Sequence, residues 1–243
     1  HTEKFKIKGP QPDYELKAFI SRPGLDYLHG IARSHEYPVV HERKILFVNG
    51  EYWVICDVLT ANDSHDYELL FHLAASAQGR VSLNSDAQCF TLDAPHLVML
   101  QPIQPSVTVS VEEGYLSSTY GVKQQAPVIK FTQQGAQYCF YTVLYPYKNE
   151  RPSITLSSIP VVKDDVSCNP FTAYCLSIAV KTAGQIYTDR IFVANGAGQF
   201  KVDDRVINTP VFLERKVNRG NGSSSLMIHH RIHPKLVTQG KGS

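Results

Sequence analysis

The chain has 243 residues, with 24 Lys and Arg against 22 Asp and Glu and a formal net charge of +2. That balance excludes a dedicated nucleic-acid binder, which carries a marked basic excess. It leaves room for an acidic polymer as partner, because a cleft can be locally basic in a near-neutral protein. No run of about 18 apolar residues occurs, so no helical membrane span is expected, and no signal peptide is read. The chain begins at His1 without Met, as a processed product or a cut piece of something longer does. Three of the five cysteines, Cys56, Cys89 and Cys139, sit in apolar strand-like runs and read as small buried hydrophobes. The spacing gives no support to a Cys168–Cys175 disulfide.

In chain order, Tyr14 to Tyr37 reads as irregular, a mixture of aromatics, Pro23, Gly24 and Gly30 around short extended pieces. Lys44 to Val48 and Tyr52 to Leu59 follow as strands around Asn49-Gly50. Asn-Gly between apolar runs is a strong hairpin signal, because the turn needs positive φ. Thr60 to Asp66 reads as a polar loop and Tyr67 to Ala74 as a third antiparallel strand. Further strands are expected at Gln88 to Leu92, Leu97 to Gln101, Ser106 to Glu112, Val128 to Thr132, Gln137 to Tyr145 and Ser153 to Ile159. The series ends with Ala173 to Val180, Ile186 to Ala194, Gly198 to Val202, Val211 to Val217 and an edge strand at Leu226 to Ile232.

Short strands with regular turns and no amphipathic helix predict an all-β antiparallel two-sheet sandwich in one domain spanning 1–243. A crossing between the sheets is expected near Pro102 and Pro105. Asn221 to Ser225 reads as a flexible loop and Gly240 to Ser243 as a frayed tail. Trp53, alternating with Ile55, is expected inside. Tyr115, Tyr120, Tyr145 and Tyr147, near turns, are better placed to stack on sugar rings, with core packing as the default.

The segment His41 to Leu73, HERKILFVNGEYWVICDVLTANDSHDYELLFHL, resembles the C-terminal domain of heparinase II/III-type proteins. His41, Arg43, Trp53, Asp57, His65 and His72 fit the family's pattern of His-x-Arg, apolar strand, turn, Tyr-Trp strand ending in Asp, polar loop with His, and His-Leu strand. Gly114 to Gly121 (GYLSSTYG) and Phe140 to Pro146 (FYTVLYP) follow in the family's order. The resemblance implies a C-terminal β-sandwich that closes one side of a cleft, with a helical toroid supplying most catalytic groups. It further implies β-elimination on uronic-acid polysaccharides, glycosaminoglycan- or alginate-like, by a secreted, periplasmic or cell-surface bacterial protein. No catalytic residue is assignable here, and the sandwich alone is expected to be inactive. Where some members place a further histidine, two residues before His41, this chain has Val39.

A fold-back near Ser64 would bring Asp57 opposite His72, and the Asn49-Gly50 hairpin brings His41 near Asp57. Two imidazoles and a carboxylate suit zinc, and some family members hold a metal in this domain through His, Asp and His. His41, Asp57 and His72 are therefore the candidate ligands of a structural zinc, with His96 as a reserve. The plainer alternative is that Asp57 accepts hydrogen bonds from His41 and Arg43. His65 is expected exposed. Arg43 is a candidate for a substrate carboxylate or sulfate, because its planar fork suits acid groups; an ion pair with Asp57 or Glu51 is the alternative. His35 could reach the cleft from the preceding loop, off the family's register; a solvated loop histidine is the plainer account. The run His229, His230, Arg231 and His233 reads as a solvated edge or an acidic-glycan contact. Expected partners are an acidic polysaccharide and the toroid of the parent chain, with no nucleic acid and no membrane. A stand-alone glycan-binding module or a scaffold domain without catalysis is the alternative reading.

Overall fold

The computed structural model describes residues 10–218 and the backbone of 226–232. The loop at Asn221 to Ser225, the tail at Gly240 to Ser243, and the side chains of His229, His230, Arg231 and His233 lie outside the described residues. The expected all-β architecture holds, built on three layers.

The first sheet has nine strands. They are β1 (Asp13–Arg22), β2 (Leu25–Arg33), β3 (Val39–Val48), β4 (Tyr52–His72), β5 (Ser82–Ser85), β6 (Cys89–Ala94), β7 (Leu97–Pro102), β8 (Thr108–Thr119) and β9 (Val122–Pro146). Their order is β1-β2-β3-β4-β9-β7-β6-β5, with β8 also paired to β9. The second sheet draws on β10 (Ser153–Ile159), β13 (Ala173–Lys181), β14 (Ile186–Ala194), β17 (Val211–Asn218) and β18 (Leu226–Ile232). The third is small, built from β11 (Val161–Lys163), β12 (Val166–Ser167), β15 (Phe200–Val202) and β16 (Arg205–Ile207).

Side-chain alternation explains the stacking. Leu46, Val48, Tyr52, Val54 and Val143 of the nine-stranded sheet pack on Leu176, Ile178, Ile191, Val193 and Leu213 of the five-stranded one. The other face of that middle sheet, with Cys175, Phe192 and Phe212, packs on Phe200, Val202 and Ile207 of the third. Strands covered on both faces read as near-continuous apolar runs, and Ile191–Ala194 is such a run. A further cluster, including Tyr67, Leu69, Met99, Phe131 and Phe140, lies on the opposite side of the nine-stranded sheet.

Several expectations are corrected. Tyr14 to Tyr37 is largely strand, a hairpin closing at Pro23-Gly24 with Arg22 opposite Leu25 and Gly24 at φ 85°. Thr60 to Asp66 does not fold back: β4 runs unbroken through it, with a bulge against β9 between Thr60 and His65. The polar residues there stay extended because most face solvent. Pro102 and Pro105 do not mark the sheet crossing, since β8 and β9 remain in the first sheet. Trp53 faces away from the main core, half-buried and stacked on Phe47 at 4.6 Å, while Tyr52 and Val54 point inward. The Asn49-Gly50 turn is as read, with both residues at positive φ and Val48 opposite Tyr52.

Candidate functional site

On β3 the inward set is Lys44, Leu46 and Val48, so alternation sends His41, Arg43, Ile45 and Phe47 to the other face. Asp57 shares that face, directly opposite Arg43, while His41 is opposite Leu59 and reaches Asp57 along the diagonal. Oδ1 of Asp57 accepts from Arg43 Nε at 2.5 Å and pairs with His41 Nε2 at 2.7 Å. The Asp57 side chain is 2% exposed, against 39% for His41 and 43% for Arg43. A buried carboxylate thus fixes two half-exposed nitrogen groups in place. Charge-assisted bonds of this kind hold orientation well. The terminal nitrogens of Arg43 carry no protein hydrogen bond among the described residues.

Beside this pair lies a groove of about 300 Å³ whose lining includes Tyr14, Leu16, Leu28, Gly30 and Ala32, with His41 and Arg43 at its side and Glu15, ion-paired to Lys17 and Arg33, at its edge. Gly30 and Ala32 are small, which leaves room over β2. Tyr14 and Leu16 stand on the edge strand and are 75% and 62% exposed. An apolar, partly aromatic ledge thus stands beside a cation fixed by a buried carboxylate.

The expected metal set is not assembled. His72 is exposed at the far end of β4, opposite Val128, whereas Asp57 is opposite Phe140. The two share one strand and are not neighbours across a hairpin. His96 sits in the β6–β7 turn at φ 62°, its ring 5.9 Å from Tyr147. The Asp57 oxygen that a metal would share is engaged by Arg43, a cation. Asp57 Oδ2 is buried without a hydrogen-bond partner, but His41 is the sole imidazole bonded to this carboxylate among the described residues. No group of three or more His, Cys, Asp and Glu side chains there could hold a metal ion. These residues do not fit the three-ligand zinc site.

His35 lies in the loop after β2, 3.8 Å from Asp13 and outside the groove lining. His65 is half-buried, not exposed, with its Nε2 buried and unpartnered and its ring 6.3 Å from Tyr67. Tyr115 and Tyr120 are 53% and 103% exposed, whereas Tyr145 is buried and Tyr147 half-buried. Sequence reasoning missed Tyr14, Leu16 and Gly30; the alternation along Tyr14 to Phe19 was the signal available.

Comparison with known proteins then gives a consistent picture. Residues 18–157 match the family model described as heparinase II/III-like, C-terminal. Among solved structures, a heparan sulfate lyase HepC mutant from Pedobacter heparinus is similar at TM-score 0.57 and 14% identity, over 81% of this chain and 28% of that one. HepC from the same organism gives TM-score 0.56 and 15% identity over 69% and 26%. A structure described as heparinase III gives 0.52 and 15% over 72% and 26%. The chain therefore spans little more than a quarter of the length of these relatives, and at such identities the likeness is one of fold. No curated protein gives a match.

Proposed function

From a chain that belongs to the heparinase II/III-like C-terminal family, we propose the sandwich part of a polysaccharide lyase, with the Arg43–His41 groove as a wall of its substrate cleft. The substrate class is a uronic-acid-containing polysaccharide, glycosaminoglycan- or alginate-like. The observation that carries this reading is the buried Asp57 carboxylate holding Arg43 and His41 beside an apolar ledge. β-Elimination needs the substrate carboxylate neutralised, a base for the adjacent C–H, and an acid for the leaving oxygen. Arg43 supplies the first by pairing with the carboxylate. Base and acid are assigned to a helical domain of a longer parent, in a secreted, periplasmic or cell-surface bacterial setting.

Titration calorimetry of this chain with heparan sulfate, alginate and a neutral glucan tests the reading. Binding to an acidic polymer that weakens with salt and falls at least about tenfold in Arg43→Ala is expected. Equal binding by the variant, or preference for the neutral glucan, would refute it. The isolated chain is expected to produce no ultraviolet absorbance from new double bonds.

A second reading, a glycan-binding module without turnover, draws on the groove being lined within this chain alone. Turnover on adding the parent's helical part would decide against it.

A further inference from the structure

We propose that Cys56 and Cys139 join in a disulfide that ties β4 to β9 inside the main core. Their sulfurs stand 3.1 Å apart, although 83 residues separate them in sequence. Carbon atoms in ordinary contact lie about 3.5–4.0 Å apart, and sulfur is larger than carbon. A bonded pair would lie at about 2.0 Å, so the sulfurs stand roughly one ångström beyond bonding distance, and closing it draws the two strands together as well as the side chains.

Register explains the approach. Cys56 is opposite Tyr141 and Cys139 is opposite Val58, so the cysteines are diagonal neighbours on one face of adjacent strands. Diagonal neighbours start farther apart than direct ones, and here the two side chains lean together and close that gap. No other pair among the five cysteines has its sulfurs in contact. Cys89 approaches Asp86 and Thr91, and Cys168 and Cys175 belong to the packing of the third layer.

Cys56 and Cys139 are 0% and 1% exposed, so an oxidant cannot reach them in the finished fold. Burial also pushes the Cys139 thiol up, which suppresses the thiolate that exchange requires. The bond therefore forms while β4 and β9 are pairing. One cysteine thiolate attacks the disulfide of an oxidant, either glutathione disulfide or a disulfide-bearing oxidoreductase, and releases one oxidant thiol. The second thiolate attacks the mixed disulfide and releases the other. Two cysteine thiols lose two protons and two electrons, and one oxidant disulfide becomes two thiols.

The test is refolding of the full chain in a glutathione and glutathione disulfide buffer, followed by alkylation in denaturant without reductant. Of the five thiols, the three at Cys89, Cys168 and Cys175 are expected to be alkylated, with Cys56 and Cys139 recovered as one linked peptide pair. Reduction before alkylation exposes all five, and Cys139→Ala shows four without reductant. Should that variant fail to fold, the count on the unaltered chain decides alone, and chain exported during expression gives the same count without refolding. Five alkylated thiols in protein with native circular dichroism would overturn the proposal. A link between Cys168 and Cys175 in place of the expected one would do the same.

Discussion

Replacing Arg215 by Met removes the cation from a buried cluster between the first two layers. Arg215 donates through Nε and Nη2 to Asp189 at 2.7 and 2.6 Å and through both terminal nitrogens to Glu51 at 2.9 Å. Its guanidinium lies 3.8 Å from the centre of the Tyr187 ring. Tyr52 donates to Asp189 at 2.5 Å. Asp189 is 0% exposed, so the variant leaves a carboxylate in the core without its cation. Losing one partner of such a pair costs about 3–5 kcal/mol, a fifth or more of a typical total of about 5–15 kcal/mol. For a chain of this length the melting temperature should fall by roughly 6–20 °C.

The pH dependence gives a sharper check. Burial pushes the Asp189 carboxyl above its usual range, with Arg215 and Tyr52 pulling it back. A carboxyl raised in the fold binds its proton more tightly there than in the unfolded chain. The stability linked to it is present at low pH and is lost as pH rises through the folded value. Without Arg215 the upward push is less opposed, so the variant's deficit should be largest near neutrality and shrink as the solution is acidified. Urea unfolding of both proteins across that range measures it. A deficit under about 1 kcal/mol at neutral pH, or one that grows on acidification, would refute the reasoning.

Gly114→Ala would place a Cβ 2.3 Å from Val128 Cγ2 on the paired strand; overpacking costs of about 1–3 kcal/mol should appear as faster amide exchange along β8 and the facing part of β9. Glu42 is held below its usual range, chiefly by His29, whose Nε2 is 2.9 Å away. That stability is present above the unfolded carboxylate value and lost as pH falls through the folded one, so Glu42→Gln should flatten the loss of stability in acid, as followed by denaturation at successive pH values. Because His72 is exposed, His72→Ala should change stability by no more than about 0.5 kcal/mol, equally with zinc or chelator present; a zinc-dependent loss in melting would restore it as a ligand.

Much of the fold was legible where a strand was bounded by turn residues. Ser153–Ile159 and Ile186–Ala194 appear with the ends expected of them. Legibility failed where polar residues stay extended. Ala61 to Ser64 carries loop chemistry yet continues β4 as a stretch bulged out against β9, where Ala136 alone stands between the partners of Thr60 and His65. The edge strand β1 was missed, although Tyr14, Leu16 and Ala18 alternate, because Pro23, Gly24 and Gly30 nearby read as irregular chain. In the third sheet β15 falls within the strand expected at Gly198 to Val202, while β11, β12 and β16 are two- and three-residue strands too short for any period. At the site, residue type picked out Asp57, Arg43 and His41. Register decided which of them meet, and the unbroken run of β4 from Tyr52 to His72 keeps His72 fifteen residues along the same strand from Asp57. The Glu51–Asp189–Arg215 cluster joins groups 26 to 164 positions apart, beyond what local pattern reveals.

β4 and β9 have a mechanical role that neither hydrophobic cluster has alone. Cys56, Val58, Cys139 and Tyr141 belong to the main core, while Tyr67, Leu69, Ile129 and Phe131, farther along the same two strands, belong to the distal one. This strand pair acts as a crossbeam: prising open either end loads the hydrogen-bonded ladder that anchors the other. Melting should accordingly run as one event through both clusters, and cutting the beam at the Thr60–His65 bulge should uncouple them.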